Sequence, residues 1–140
     1  MMVNPENEFR LLSMTVFLEA AGESEEGKIA VANVIANRVA DSRYPDTIKG
    51  VVHQPWQFSC WNQGPDDIVW RNRRLNGYLE SPAYLGSMKA AAGVFFGLYA
   101  ENTEGSCHYC TTAVVEDTAW AKDQTPAVII GAHSFFNQVA

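Results

Sequence analysis

Cysteine is scarce in this chain of 140 residues: only Cys60, Cys107 and Cys110 occur. An odd number of thiols excludes a fully paired disulfide framework of the kind that staples small secreted domains, and synthesis in a reducing cytoplasm is the simpler expectation. Basic charge is scarce as well. Ten Lys and Arg face sixteen Asp and Glu, for a net charge of −6, and the basic residues are scattered apart from Arg71, Arg73 and Arg74. That balance argues against a nucleic-acid partner. It gives no overall attraction to anionic polymers or lipid surfaces either, so binding to such a surface has to come from a groove. Long apolar runs are missing: the longest N-terminal stretch is interrupted by Ser13, Thr15 and Glu19, and no basic segment precedes it. Neither a signal peptide nor membrane insertion is expected. No internal repeat or low-complexity tract divides the chain, so one domain over residues 1–140 with one core is expected.

What is present begins with a well-marked helix. Asn4 suits the N-cap, Pro5 the first turn, and Glu6 and Glu8 the positive end of the dipole. Phe9, Leu12 and Val16 recur at helical spacing, and three residues further the same stripe reaches Glu19. Gly22 is the natural stop. Ser24, Glu25 and Glu26 open a second helix, rich in Ala, Val and Ile, that runs to about Val39. Tyr44, Pro45 and Asp46 break the pattern before a short helical turn over Thr47 to Val52, and Pro55 breaks it again. From Trp56 to Cys60 the chain reads as extended, with Trp56, Phe58 and Cys60 alternating against Gln57, Ser59 and Trp61. Asn62 to Gly77 reads as a surface loop with at most one helical turn. Ser81 and Pro82 open a third helix with the stripe Tyr84, Met88, Ala91 and Phe95, closed by Gly97. Extended stretches are expected near Cys107 to Val115 and Val128 to Phe136. Helices first and short strands later point to an α+β domain, mainly helical in its N-terminal half with a small sheet.

Glu19 is the residue with the clearest chemical potential. A carboxyl group on the inward stripe of a helix resists ionisation because desolvation favours its neutral form, and the exposed carbonyls of the last turn push the same way. A Glu kept protonated near neutral pH is what a glycosidase uses to protonate a leaving oxygen. The helix argument alone leaves open that Glu19 lies at the rim and reaches water. Glu23, Glu25 and Glu26 read as ordinary acids at a helix start.

The run from Val16 to Val39, VFLEAAGESEEGKIAVANVIANRV, resembles the opening motif of the cell-wall hydrolase family of the SleB/CwlJ, spore-cortex-lytic type. The similarity continues in order through Tyr44-Pro45, Thr47-Ile48, Gly50-Val51, Gln54-Pro55, Gln57-Phe58-Ser59, His108-Tyr109, Trp120 and Ile130 to Phe135, and so covers nearly the whole chain. The resemblance implies a lysozyme-like α+β fold and a substrate of peptidoglycan glycan strands, cut between N-acetylmuramic acid and N-acetylglucosamine. It also implies that Glu19 is the catalytic acid. Lytic transglycosylation, forming 1,6-anhydro ends with one Glu as acid and base, is favoured over a hydrolytic muramidase, which needs a second carboxylate. The Asn62 to Gly77 stretch follows no family pattern. A compact catalytic chain with no export signal looks like a phage endolysin, made in the cytoplasm and acting on wall or periplasmic peptidoglycan after a holin-type protein releases it.

Around Glu19, the expected substrate-binding residues are Ser59, Phe58, Trp61, His108, Tyr109, Trp120 and His133. Ser59 can position a hydroxyl. Trp61, Tyr109 and Trp120 can stack on sugars, although large aromatics are as readily core. His108 and His133 can donate hydrogen bonds or support the fold. No cofactor and no metal are expected. The rival readings are a zinc-dependent amidase using Cys107, Cys110 and the histidines, a cysteine peptidase built on Cys60, and a wall-binding module without catalysis.

Overall fold

The computed structural model describes residues 3–140. Five helices and three short strands follow one another: α1 (Pro5–Ala20), α2 (Glu25–Ala40), α3 (Ile48–Val52), α4 (Pro65–Leu75), α5 (Pro82–Phe95), β1 (His108–Thr111), β2 (Val128–Ile130) and β3 (His133–Phe136). The expected α+β class is therefore the one observed. The helix starts are those the sequence marks. Asn4 Oδ1 accepts from Glu6 N at 3.0 Å, Ser24 Oγ from Gly27 N at 3.2 Å, and Ser81 Oγ from Ala83 N at 3.2 Å. Each cap satisfies a backbone donor that has no partner inside its own helix.

Helix α2 is the centre of the molecule. One side packs with α1 and α5 around Leu12, Val16, Val31, Ile35 and Ala91, while Ala30 and Val34 meet Phe135 of β3. A helix covered on two sides has to be narrow, which is why this one is built from Ala and Val. The sheet has the order β1-β3-β2 and is antiparallel throughout, with Tyr109 opposite Phe135 and Ile130 opposite His133. Gly131 turns the β2–β3 hairpin with φ +57°, and a Cβ there would lie 2.9 Å from Glu23 Oε1, so both backbone and space favour glycine. Among the described residues, no helix is long and apolar enough to cross a membrane.

Three expectations need correction. Residues 56–60 are not a strand: the segment turns, Trp56 takes a left-handed φ of +66°, and Ser59–Trp61 forms a 3-10 helix. The alternation matched burial only in part, for Phe58 and Cys60 point inward while Trp56, in phase with them, points out. Residues 62–77 are not mainly loop, because α4 fills most of them. Its start is marked by Pro65, Asp66 and Asp67 and its end by Arg73 and Arg74, signals that the absence of an apolar stripe concealed, since none of its residues is buried. Beyond Thr111 the expected strand gives way to a 3-10 helix, Thr112–Asp117.

Glu8 has a task its place in the first turn of α1 did not reveal. The buried carboxylate accepts from Ile48 N at 2.8 Å and Lys49 N at 3.0 Å, and so caps α3 from outside, beside Thr47, whose Oγ1 accepts from Gly50 N. Helix α3 leads directly into the segment 53–61 that walls the site. Glu8→Ala leaves two backbone donors without their acceptor and is expected to cost about 2–3 kcal/mol; a denaturant midpoint equal to that of wild type would show that water replaces the carboxylate.

Candidate active site

The last turn of α1 brings Glu19 to a cleft of about 220 Å³, whose other walls come from the end of α2 (Arg38), the 56–59 segment, β1 (Tyr109 to Thr111) and His133 of β3. Glu19 is half-buried. Burial raises its pKa above the ordinary 4.5, and it is opposed, more weakly, by hydrogen bonding from the Cys60 thiol, the Tyr109 hydroxyl and the Cys60 backbone. The carboxyl group thus holds its proton at a pH where an exposed Glu has lost it, yet donors stand ready for the carboxylate form.

Both donors stay protonated. Burial, and then the negative charge of Glu19, push the Tyr109 phenol well above its usual pKa. The same causes drive the Cys60 thiol up. A nucleophilic cysteine needs the opposite shift, so the Cys60 thiol stays protonated beside Glu19 and the peptidase reading loses its basis. The zinc reading fares no better, since among the described residues no three His, Cys, Asp or Glu side chains converge as a metal-holding group. Cys107 lies buried with Sγ 3.9 Å from Asp41 Oδ2, whereas Cys110 lines the Glu19 cleft.

Arg38 is the residue that sequence reasoning missed. It is 5 % exposed, donates from Nε to Cys107 O at 2.7 Å and from Nη1 to Gln57 Oε1 at 3.1 Å, and its guanidinium lies 5.0 Å from the Tyr44 ring centre and 5.3 Å from that of Phe58. Burial lowers its pKa from the ordinary value. It joins α2 to the residue just before β1 on one side and to the 56–59 segment on the other, so one buried cation ties together two walls of the cleft. A lone Arg at the end of an Ala- and Val-rich helix was the available signal, easily taken for a dipole partner.

Of the expected binding residues, Ser59, Phe58, Tyr109 and His133 line the cleft. Ser59 is exposed at its mouth, and Phe58 is buried in its wall. Tyr109 stacks on Phe135 at 5.6 Å, and its ring centre is 5.2 Å from His133. His133 Nδ1 is 3.2 Å from Glu23 Oε1, a distance that makes an ion pair only when the imidazole is protonated. Glu23 Oε1 also accepts from Ala132 N at 3.1 Å. Glu23 is therefore a strut from the α1–α2 turn to the hairpin and not merely a helix-start acid.

Three candidates lie elsewhere. His108 and Trp120 pack together at 5.1 Å, with Trp120 edge-on to Phe136; successive strand residues face opposite sides, so bringing Tyr109 to Glu19 turns His108 away. Burial, with Arg38 and Arg43 nearby, lowers the His108 pKa to about 4. Trp61 is engaged within the protein: Nε1 donates to Thr15 Oγ1 at 3.0 Å, His53 stacks on its ring at 5.3 Å, and Arg71 is 5.5 Å from its centre.

Residues 22–136 match the family described as Cell Wall Hydrolase. The chain belongs to that family. The matched span begins just after Glu19 and does not include it. A spore cortex-lytic enzyme of Oceanobacillus iheyensis is 41% identical over 59 residues, 42% of this chain and 21% of that protein. The enzyme of the same name in Bacillus subtilis (strain 168) is 40% identical over 58 residues, 41% of this chain and 19% of its own length. The matched part of this cell-wall hydrolase thus spans about a fifth of these curated relatives. Among solved structures, the catalytic domain of the Bacillus cereus SleB protein superposes with a TM-score of 0.67 at 24% identity, over 94% of this chain and 91% of that one. The catalytic domain of the germination-specific lytic transglycosylase SleB from Bacillus anthracis gives the same score and identity, over 94% and 95%. The fold is shared with both.

The raised Glu19 pKa has a measurable consequence without substrate. The native state keeps a proton that the unfolded chain loses, so wild-type stability falls as pH rises from the ordinary 4.5 through the raised native value. Glu19→Gln carries no such loss. Its stability advantage over wild type is expected to grow across that window and to vanish below it, as followed by thermal unfolding from about pH 4 to 8; an advantage independent of pH would mean that Glu19 titrates normally.

Proposed function

We propose that this chain cleaves peptidoglycan glycan strands between N-acetylmuramic acid and N-acetylglucosamine by lytic transglycosylation, with Glu19 as its acid and base. The observation that carries this reading is a half-buried, proton-retaining Glu in a cleft where, among the described residues, no second Asp or Glu is a lining group. In the proposed reaction Glu19 gives its proton to the bridging oxygen as the bond from the muramic acid C1 breaks. The oxocarbenium-like centre is then closed by the 6-hydroxyl of the same sugar, whose proton returns to the Glu19 carboxylate. The product is a 1,6-anhydro end, and no water is consumed. Tyr109 and Cys60, the two donors on the carboxyl group, steady the anion in the middle of this cycle.

Membership of the cell-wall hydrolase family and partial identity to spore cortex-lytic enzymes support peptidoglycan, including that of a spore cortex, as the substrate, and the cell wall as the place of action. The relatives reported above are spore cortex enzymes rather than phage lysis proteins, so delivery by a holin-type partner forms no part of the proposal. Ser59, Tyr109 and His133 are proposed to meet the sugars nearest the cut, with Phe58 shaping the wall. A hydrolytic muramidase is the second reading, and it requires water to reach C1 from a group other than a paired carboxylate.

Digestion of purified peptidoglycan with mass measurement of the released fragments separates the two. Ends lighter by one water are expected from wild type, and loss of release by about a thousandfold or more from Glu19→Gln. Reducing ends would establish hydrolysis, and undiminished release by Glu19→Gln would remove Glu19 from the chemistry. Tyr109→Phe deletes a donor that lowers the Glu19 pKa, so the alkaline limb of its pH–rate profile is expected to move to higher pH; an unmoved limb would show that the hydroxyl does not act on Glu19.

A further inference from the structure

A second and larger cavity, of about 360 Å³, adjoins the Glu19 cleft, and Trp56 and Phe58 line both. Its walls include His53, Gln54, Trp56, Trp61, Asn62 and Asp67. We propose that this cavity is a second saccharide subsite, and that Trp56 is the platform over which the glycan strand passes from it to the Glu19 cleft. The proposal rests on the glycan-cleaving reading and extends it to the binding of the polymer.

Three observations carry it. Trp56 is 83 % exposed, although burying a ring of this size is among the strongest gains available to a fold. Its backbone is held at φ +66°, a left-handed conformation that costs an L-residue with a bulky side chain and that glycine adopts freely. Neither packing nor backbone preference explains a tryptophan there, whereas an apolar face presented between two cavities does. Finally, the side chains of Gln54, Asn62 and Asp67 line the second cavity, and Gln54 leaves its buried Oε1 with no hydrogen-bond partner, although buried polar atoms are nearly always paired. Flat aromatic faces beside amides and carboxylates match an N-acetylated sugar, whose ring has an apolar face and a rim of hydroxyl and acetamide groups, and the volume lies in the range of small-ligand sites. His53 and Trp61 also line this cavity, but they stack on each other and Trp61 is held by Thr15 and Arg71.

Glycine is the discriminating substitution, because Trp56→Gly removes the ring while relieving the backbone. Peptide-free oligosaccharides of alternating N-acetylglucosamine and N-acetylmuramic acid, two, four and six sugars long, are titrated calorimetrically into Glu19→Gln and into the double variant Glu19→Gln, Trp56→Gly. Affinity is expected to rise with length in the first, and the double variant to lose that rise, roughly tenfold for the longest oligomer. Its melting temperature is expected to equal or exceed that of Glu19→Gln. Length-independent affinity, no binding of any oligomer, a requirement for attached stem peptides, an unchanged double variant or a clearly lowered melting temperature each overturn the subsite. Failure of the catalytic reading shows separately, as peptidoglycan cleavage that persists in Glu19→Gln.

Discussion

The withdrawal of the Glu19 carboxyl group from water, at the point where α1 ends against Cys60 and β1, is the constraint on which the site depends. Desolvation and hydrogen bonding act on it in opposite senses, and burial is the larger. A carboxyl group balanced in this way can be an acid at the start of a reaction and a stabilised anion in its middle, which is the requirement of a mechanism that has one carboxylate where most glycosidases have two. The donors come from residues whose own pKa values are pushed up by burial and by the charge of Glu19, so neither gives up its proton before Glu19 does.

The rest of the fold reads as scaffolding for that position. Arg38 reaches Cys107, just before β1, and the 56–59 segment from the end of α2. Glu8 caps α3, which precedes that segment, and Glu23 holds the hairpin that carries His133. Each is a charged side chain used across the chain rather than along its own helix.

Legibility differed by element for physical reasons. Helices α1, α2 and α5 have caps and stripes of their own, so local sequence specified them. Helix α4 carries caps without a stripe because it packs too little to need one. The 56–61 segment alternates like a strand because Phe58 and Cys60 must be buried, and a 3-10 turn meets that need as well as a strand does. In the site, Glu19 was legible from its stripe and its motif. The separation of Tyr109 from His108 was not, because it depends on which face of β1 meets α2, and that follows from Phe135 packing on Ala30 and Val34.

By itself the sequence determined the class of fold and the family, and it pointed to Glu19 as the proposed acid, since these follow from periodic burial, helix caps and a motif spaced along one chain. The tertiary structure alone decided what surrounds that acid: Cys60 as a donor rather than a nucleophile, Arg38 as a buried clamp, Trp61 as a strut, and Trp56 as the exposed ring. These roles depend on groups far apart in the chain meeting in a space closed to water, and desolvation is a property of that space rather than of any residue's place in the sequence.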